Sequence, residues 1–143
     1  MRHVVGGVGA AGALLQDQVH VAGASLAAYG ATGSVRYLAV AEDLAMILAR
    51  DFADPTGGYF DTPQTAVAAP ALADRLKPIW DDLLPGANAW AARMLLQLAD
   101  ATGEPAYRRR AEATLEAFAG MRAGDEIRAS SYLAVAQSVL PLP

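Results

Sequence analysis

An all-α fold is what this chain of 143 residues predicts, and three observations predict it. Alanine supplies about a quarter of the residues, β-branched residues are scattered rather than grouped in alternating runs, and apolar side chains recur at three- and four-residue intervals through most of the chain. Alanine is the strongest helix former, and that spacing collects apolar groups on one helical face. The length suffices for one domain with a real core and is too short to expect two.

Residues 1–13 open with Met1-Arg2-His3 and an apolar, glycine-rich run. The outline is that of a secretory signal, but Gly6, Gly7, Gly9 and Gly12 interrupt the run and no small-x-small site precedes Gln16. Within it, Gly7-Val8-Gly9-Ala10-Ala11-Gly12 has the spacing of a dinucleotide-binding turn after a short strand from His3 to Val5. That mechanism needs a βαβ unit and an acid about 20 residues further on to hold the ribose. The chain there reads Ala31-Thr32-Gly33, and the nearest acid, Glu42, falls in mid-helix. Residues 1–13 are therefore expected to be a flexible or truncated arm, and residues 14–143 the domain.

A first helix is predicted from Leu15 to about Ala31, with Leu15, Val19, Ala22, Leu26 and Tyr29 on one face. Thr32-Gly33-Ser34 ends it and starts the next, which runs from Val35 to about Phe52 and stops at Asp54-Pro55. After Pro85-Gly86 a third helix is expected from about Ala87 to Ala101, with Trp90 and Leu95 among its apolar positions. A fourth spans about Pro105 to Met121, burying Tyr107, Ala111, Leu115 and Phe118; a proline is tolerated in a first turn because its missing donor would be unpaired there anyway. A fifth runs roughly from Asp125 to Val139. Gln64 to Leu84 reads as irregular, with one short turn around Ala71 to Leu76.

Two stretches echo one another. Thr32-Gly33, Tyr37 and Ala41-Glu42 recur as Thr102-Gly103, Tyr107 and Ala111-Glu112, each 70 residues later. Five identities in order, all at helix junctions, predict a repeated αα-hairpin, and such hairpins stack because each alone leaves an apolar face exposed.

A formal net charge of -4 argues against a nucleic-acid partner, since phosphate binding needs a cationic face. The one basic cluster, Arg108-Arg109-Arg110, has Glu104 and Glu112 nearby and reads as a paired, solvated helix face. No cysteine is present, so disulfides, thiolate metal sites and cysteine nucleophiles are excluded. No segment has the roughly 18 uninterrupted apolar residues of a membrane span, so no membrane partner is expected and the cytoplasm is the default compartment. Asp17 and His20 share a helix face, but two ligands without a third make a poor metal site, and a hydrogen-bonded helical histidine is the plainer reading. No phosphate loop or Ser-His-Asp order occurs, and no cofactor is expected.

The runs Leu15-Gln16-Asp17-Gln18, Tyr29-Gly30-Ala31-Thr32-Gly33, Gly57-Gly58-Tyr59-Phe60-Asp61-Thr62, Lys77-Pro78-Ile79-Trp80-Asp81-Asp82 and Pro85-Gly86-Ala87-Asn88-Ala89 carry a resemblance. In order and spacing, from about Leu14 to Leu140, the chain resembles the carboxy-terminal part of the thioredoxin-domain-containing YyaL/spermatogenesis-associated-protein-20-like family. That family is similar to six-hairpin glycosidases and N-acylglucosamine 2-epimerases, so the resemblance implies antiparallel αα-hairpins forming part of an (α/α)6 toroid. Three departures stand out. The leading thioredoxin-like domain is absent, five helices are fewer than half of a closed ring, and the family's Pro-Ser-Gly-Asn-Ser and Glu-Asp-Tyr read Pro85-Gly86-Ala87-Asn88-Ala89 and Gln16-Asp17-Gln18.

In such toroids the amino ends of the inner helices face a shared cavity. The resemblance thus implies a carbohydrate site with Asp17, Asp61, Asp81 and Asp82 as candidate acids and Gln18, Tyr59, Trp80 and Asn88 as candidate contacts. Carboxylates flanking an aromatic platform suit a sugar, because stacking holds the ring while one acid donates a proton and another stabilises charge. Several have a plainer role beside this one: Asp81-Asp82 and Asn88 as helix or turn caps, and Asp17 as a charge suited to a helix amino end; Trp90, the other possible sugar platform, reads as core. Whether the chain is an enzyme, glycosidase- or epimerase-like, stays open at this stage. The alternative is a helical scaffold whose apolar hairpin edge docks a protein partner or a second copy as a homodimer, motivated by a 54% hydrophobic composition.

Overall fold

The computed structural model describes residues 3–4, 10–11, 14–64, 75–120 and 126–139. It is mostly helical, as the composition predicts. Most of the expected amino-terminal arm and of the short turn near Ala71 lies outside the described residues. What is described of the arm is an antiparallel pairing of β1 (His3–Val4) with β2 (Ala10–Ala11), a local return of the chain rather than the first strand of a parallel βαβ unit.

Helix α1 (Leu15–Thr32) buries Leu15, Gln18, Val19, Ala22, Ser25 and Leu26, so the predicted stripe gains two polar members, while Tyr29 near its end is only half-buried. It ends at Gly33, whose left-handed backbone (φ 67°) lets its N–H reach Tyr29 O at 2.7 Å. Helix α2 (Val35–Ile47) continues into a wide π-turn over Leu48–Phe52, then leaves in extended form at Ala53, which bridges to Tyr59. Helix α3 (Ala87–Thr102) ends at Gly103 and α4 (Pro105–Glu116) follows at once, its amino end capped where Glu104 accepts from the Ala106 N–H at 3.0 Å. A 3₁₀ turn at Glu126–Ala129 leads into α5 (Ser130–Val139).

The 70-residue echo is a repeat of geometry as well as of letters. Gly33 and Gly103 have the same backbone angles (φ 67°, ψ 5° and φ 72°, ψ 4°). Thr32 and Thr102 each donate their hydroxyl to the carbonyl four residues back, at 2.7 and 2.6 Å, and each accepts from the amide two residues on, at 3.2 Å. One threonine therefore ties off the ending helix and begins the next, while glycine supplies the reversal at no steric cost.

Each hairpin packs its own two helices together, α1 on α2 and α3 on α4, while α1, α3 and α5 lie side by side. Hydrogen bonds fix their direction. The Leu15 N–H reaches Asp61 O, the Asn88 N–H reaches Pro78 O and the Ser131 N–H reaches the Asp81 carboxylate, so all three helices start where two loops, residues 53–64 and 75–86, cross over them. Helices α1, α3 and α5 thus form one layer with their amino ends at one edge, and α2 and α4 stand behind. Helix α3 is central: Ala87, Ala89, Ala91, Ala92, Met94, Leu95 and Leu98 are all buried. Its alanines let the neighbours approach towards the short end of the usual interaxial spacing of about 8–10 Å.

Candidate functional site

The loop from Asp54 to Thr62 is built by local bonding. Asp54 accepts from the Thr56 N–H and hydroxyl at 2.7 and 2.8 Å, and its N–H donates to Gly58 O at 3.0 Å. Gly57 and Gly58 both take positive φ (97° and 74°). A β-carbon on Gly57 would sit 2.7 Å from Ala113 O, so glycine is needed for α4 to approach. Lys77 straps the loop to residues 75–79, with its Nζ 2.7 Å from the Asp54 carboxylate and 2.9 Å from Gly57 O. The hydrogen bond from Lys77, helped by those from Thr56, holds the Asp54 carboxyl well below the usual range, at about 2. Arg75 lies over the Phe60 ring at 4.1 Å and donates to Thr62 O and Asp51 O.

Asn88 is the knot between the two loops. It is fully buried; its Oδ1 accepts from the Tyr59 N–H at 2.7 Å, and its Nδ2 donates to Tyr59 O and Pro78 O, both at 2.9 Å. Both amide protons are therefore committed to backbone, which makes this side chain an internal tie. Tyr59 is buried too, with its hydroxyl turned to Thr114 on α4; burial pushes the phenol up, and Arg110 and the Thr114 hydrogen bond pull the other way. The cleft that Tyr59 lines, about 230 Å³, lies between this loop and α4, beside Ala53, Arg110 and Thr114.

Asp81 spends both oxygens on structure. Oδ1 accepts from the Gly86 N–H at 2.8 Å, and Oδ2 accepts from the Ser130 hydroxyl at 2.8 Å and the Ser131 N–H at 2.9 Å. It thus caps α5 from 50 residues away. Burial works to raise its pKa, but the bonds from Ser131, Gly86 and Ser130 together outweigh it and hold the carboxyl low. A general acid for glycoside cleavage needs the opposite, a carboxyl kept protonated near neutrality. Asp61 is half-buried: its Oδ1 accepts from the Leu76 N–H and the Thr62 hydroxyl, both at 3.2 Å, and its backbone oxygen accepts from Leu15. Asp82 is exposed on the 75–86 loop, next to Asp81, and Asp17 lies half-buried in the first turn of α1. Gln18 is buried, and its Nε2 has no hydrogen-bond partner among the described residues.

The structure therefore brings Tyr59, Asp61 and Asn88 together as loop fasteners and sets Asp81 with Trp80 beside the start of α5. Trp80 stays 39% exposed with the Arg128 guanidinium 5.5 Å from its ring centre. A second aromatic group stands at this end. Trp90, expected in the core, is only half-buried. Its ring meets His20 of α1 at 4.9 Å with a 49° tilt, Arg93 lies 5.4 Å from its centre, and a β-carbon on Gly23 would come within 3.2 Å of it. Gln16 donates from Nε2 to the His20 Nε2 and to Pro85 O. The signal lay in spacing: Trp90, Arg93, Gln97 and Asp100 recur at three- and four-residue steps, an amphipathic stripe on an otherwise alanine-rich helix.

Among the described residues no three histidine or acidic side chains gather to hold a metal ion, and no helix is long and apolar enough to cross a membrane. No family model matches the chain, and no curated protein sequence matches it.

Proposed function

We propose that this chain is a helical-hairpin domain that binds a carbohydrate at the amino-terminal edge of its α1–α3–α5 layer, and that binding rather than turnover is its role. The observation that carries the reading is the pair of tryptophans at that edge, each with an arginine over it: Trp80 with Arg128 and Trp90 with Arg93. The apolar C–H face of a pyranose packs on an indole ring, while its hydroxyls need planar donors and acceptors beside it. Arg93 beside Trp90, and Gln16 through the His20 ring that meets Trp90, offer these.

Two further features favour this reading. The resemblance to six-hairpin glycosidase-like proteins directs attention to the same edge, and the parallel order of the odd-numbered helices suits a partial (α/α) toroid. Against hydrolysis stand the commitments of Asp81, whose ionised carboxylate is occupied by Gly86, Ser130 and Ser131. The test is affinity electrophoresis against a panel of immobilised polysaccharides. Retardation by at least one, abolished in Trp80→Ala and kept in Asp81→Asn, supports a sugar-binding edge. Retardation by none, or retention in the double variant Trp80→Ala/Trp90→Ala, would remove the proposal.

A further inference from the structure

Between α3 and α5 a groove of about 340 Å³ leads away from the tryptophan edge. Arg93, Leu96, Gln97 and Asp100 of α3 form one wall, and Ala134 and Ser138 of α5 stand opposite. Both helices start at that edge, with Trp90 in the first turn of α3 and Asp81, next to Trp80, capping α5. The groove therefore runs down from the place where both tryptophans stand. Arg93 joins the two regions: its guanidinium lies 5.4 Å from the Trp90 ring centre, and the same residue lines the upper part of the groove.

The polar groups along the groove keep hydrogen-bonding capacity to spare. Among the described residues nothing is bonded to the Gln97 carboxamide, which offers both a donor and an acceptor. The Ser138 hydroxyl gives its proton to Val135 O at 2.6 Å and keeps its oxygen as an acceptor. At the lower end Asp100 receives Arg108 on Oδ1 at 3.1 Å, and its second oxygen stays available. Leu96 and Ala134 add apolar surface between them. Sugar hydroxyls both donate and accept, and the C–H faces of the rings are apolar, so this alternation of groups suits them. From Trp90 to Asp100 is ten residues of α3, about 15 Å at a rise of about 1.5 Å each, the span of about three pyranose units linked end to end.

We infer that the ligand is an extended oligosaccharide of about three units, with one unit stacked at Trp90 and the next two lying in the α3–α5 groove, where Gln97 and Ser138 select among their hydroxyls. The inference rests on the carbohydrate-binding reading above and adds the direction and length of the chain. Neighbouring helices that start at one edge make the groove straight, which favours an extended chain over a coiled one.

Isothermal titration calorimetry with cello-, xylo- and malto-oligosaccharides of one to five units tests this, with far-UV circular dichroism to verify folding. In at least one series the affinity should rise at least about tenfold from one unit to three and change less than about twofold beyond three. Gln97→Ala/Ser138→Ala removes exposed groups from the groove alone, so it should flatten that rise while the affinity for a single unit holds. Trp90→Ala should weaken binding at every length. Equal affinity at all lengths, or a rise that survives in Gln97→Ala/Ser138→Ala, would overturn the inference and leave a sugar site at the edge alone. Absence of binding in all three series, or binding unaltered by Trp90→Ala, would remove the inference together with the reading on which it rests.

Discussion

Replacing Asn88 by alanine separates a structural tie from a ligand contact. The asparagine side chain makes three hydrogen bonds to backbone, with the Tyr59 N–H, Tyr59 O and Pro78 O, in a place with no access to water. At about 1 kcal/mol for each bond, with an added penalty for a buried N–H left without an acceptor, the loss is about 3–4 kcal/mol. For a chain of this size that is a fall in Tm of about 10 °C, at about 2–4 °C per kcal/mol. Urea unfolding followed by circular dichroism reads it directly, with the midpoint falling while the slope holds. Asn88→Asp should be no better at neutral pH, because it sets a carboxylate against two carbonyl oxygens. A loss below about 1 kcal/mol, together with loss of sugar retention, would refute the tie and return Asn88 to the ligand.

Other outcomes follow from the same geometry. A β-carbon on Gly86 would lie 2.0 Å from Ile79 O, so Gly86→Ala should be among the most damaging single substitutions, at about 3 kcal/mol or more by thermal melt. Gly33→Ala and Gly103→Ala meet nothing within 4 Å but force alanine into positive φ, so each should cost about 1–2 kcal/mol, and nearly the same amount as the other. Asp54 has its pKa lowered from 3.8 to about 2 in the fold, so its contribution is present above pH 4 and is lost as pH falls towards 2; Asp54→Asn should flatten that limb of an acid-unfolding curve. Asp81→Ala should lower stability by about 1–2 kcal/mol through loss of the α5 cap, without abolishing sugar retention.

What the sequence disclosed, and what it did not, divides by range. Helix limits at Leu15, Gly33, Ala87 and Gly103 follow from periodicity and from turn chemistry within a few residues, and the Thr-Gly echo predicted two like turns that the structure contains. The π-turn at Leu48–Phe52 left no mark, because a widened turn carries the same apolar letters as the helix before it. Asp81 offered carboxylate chemistry to any local reading; its role is set by Ser130 and Ser131, about 50 residues away, which no spacing rule could connect. Asn88 was legible as a helix-start residue but not as the partner of Tyr59, 29 residues earlier. Trp90 was assigned to the core because alanines surround it, and alanine-rich helices blur the division between buried and open faces that a stripe of larger residues would mark.

The chain has two tryptophans, Trp80 and Trp90, and both stand at the proposed carbohydrate edge, so intrinsic fluorescence watches that edge and nothing else. Titrating a retarded oligosaccharide into wild type, Trp80→Phe and Trp90→Phe tests the central claim most directly. The account predicts a saturable change in emission in wild type, with a part of it kept in each single variant. Emission that stays constant while the sugar is bound by another measure would place the ligand elsewhere and contradict the account.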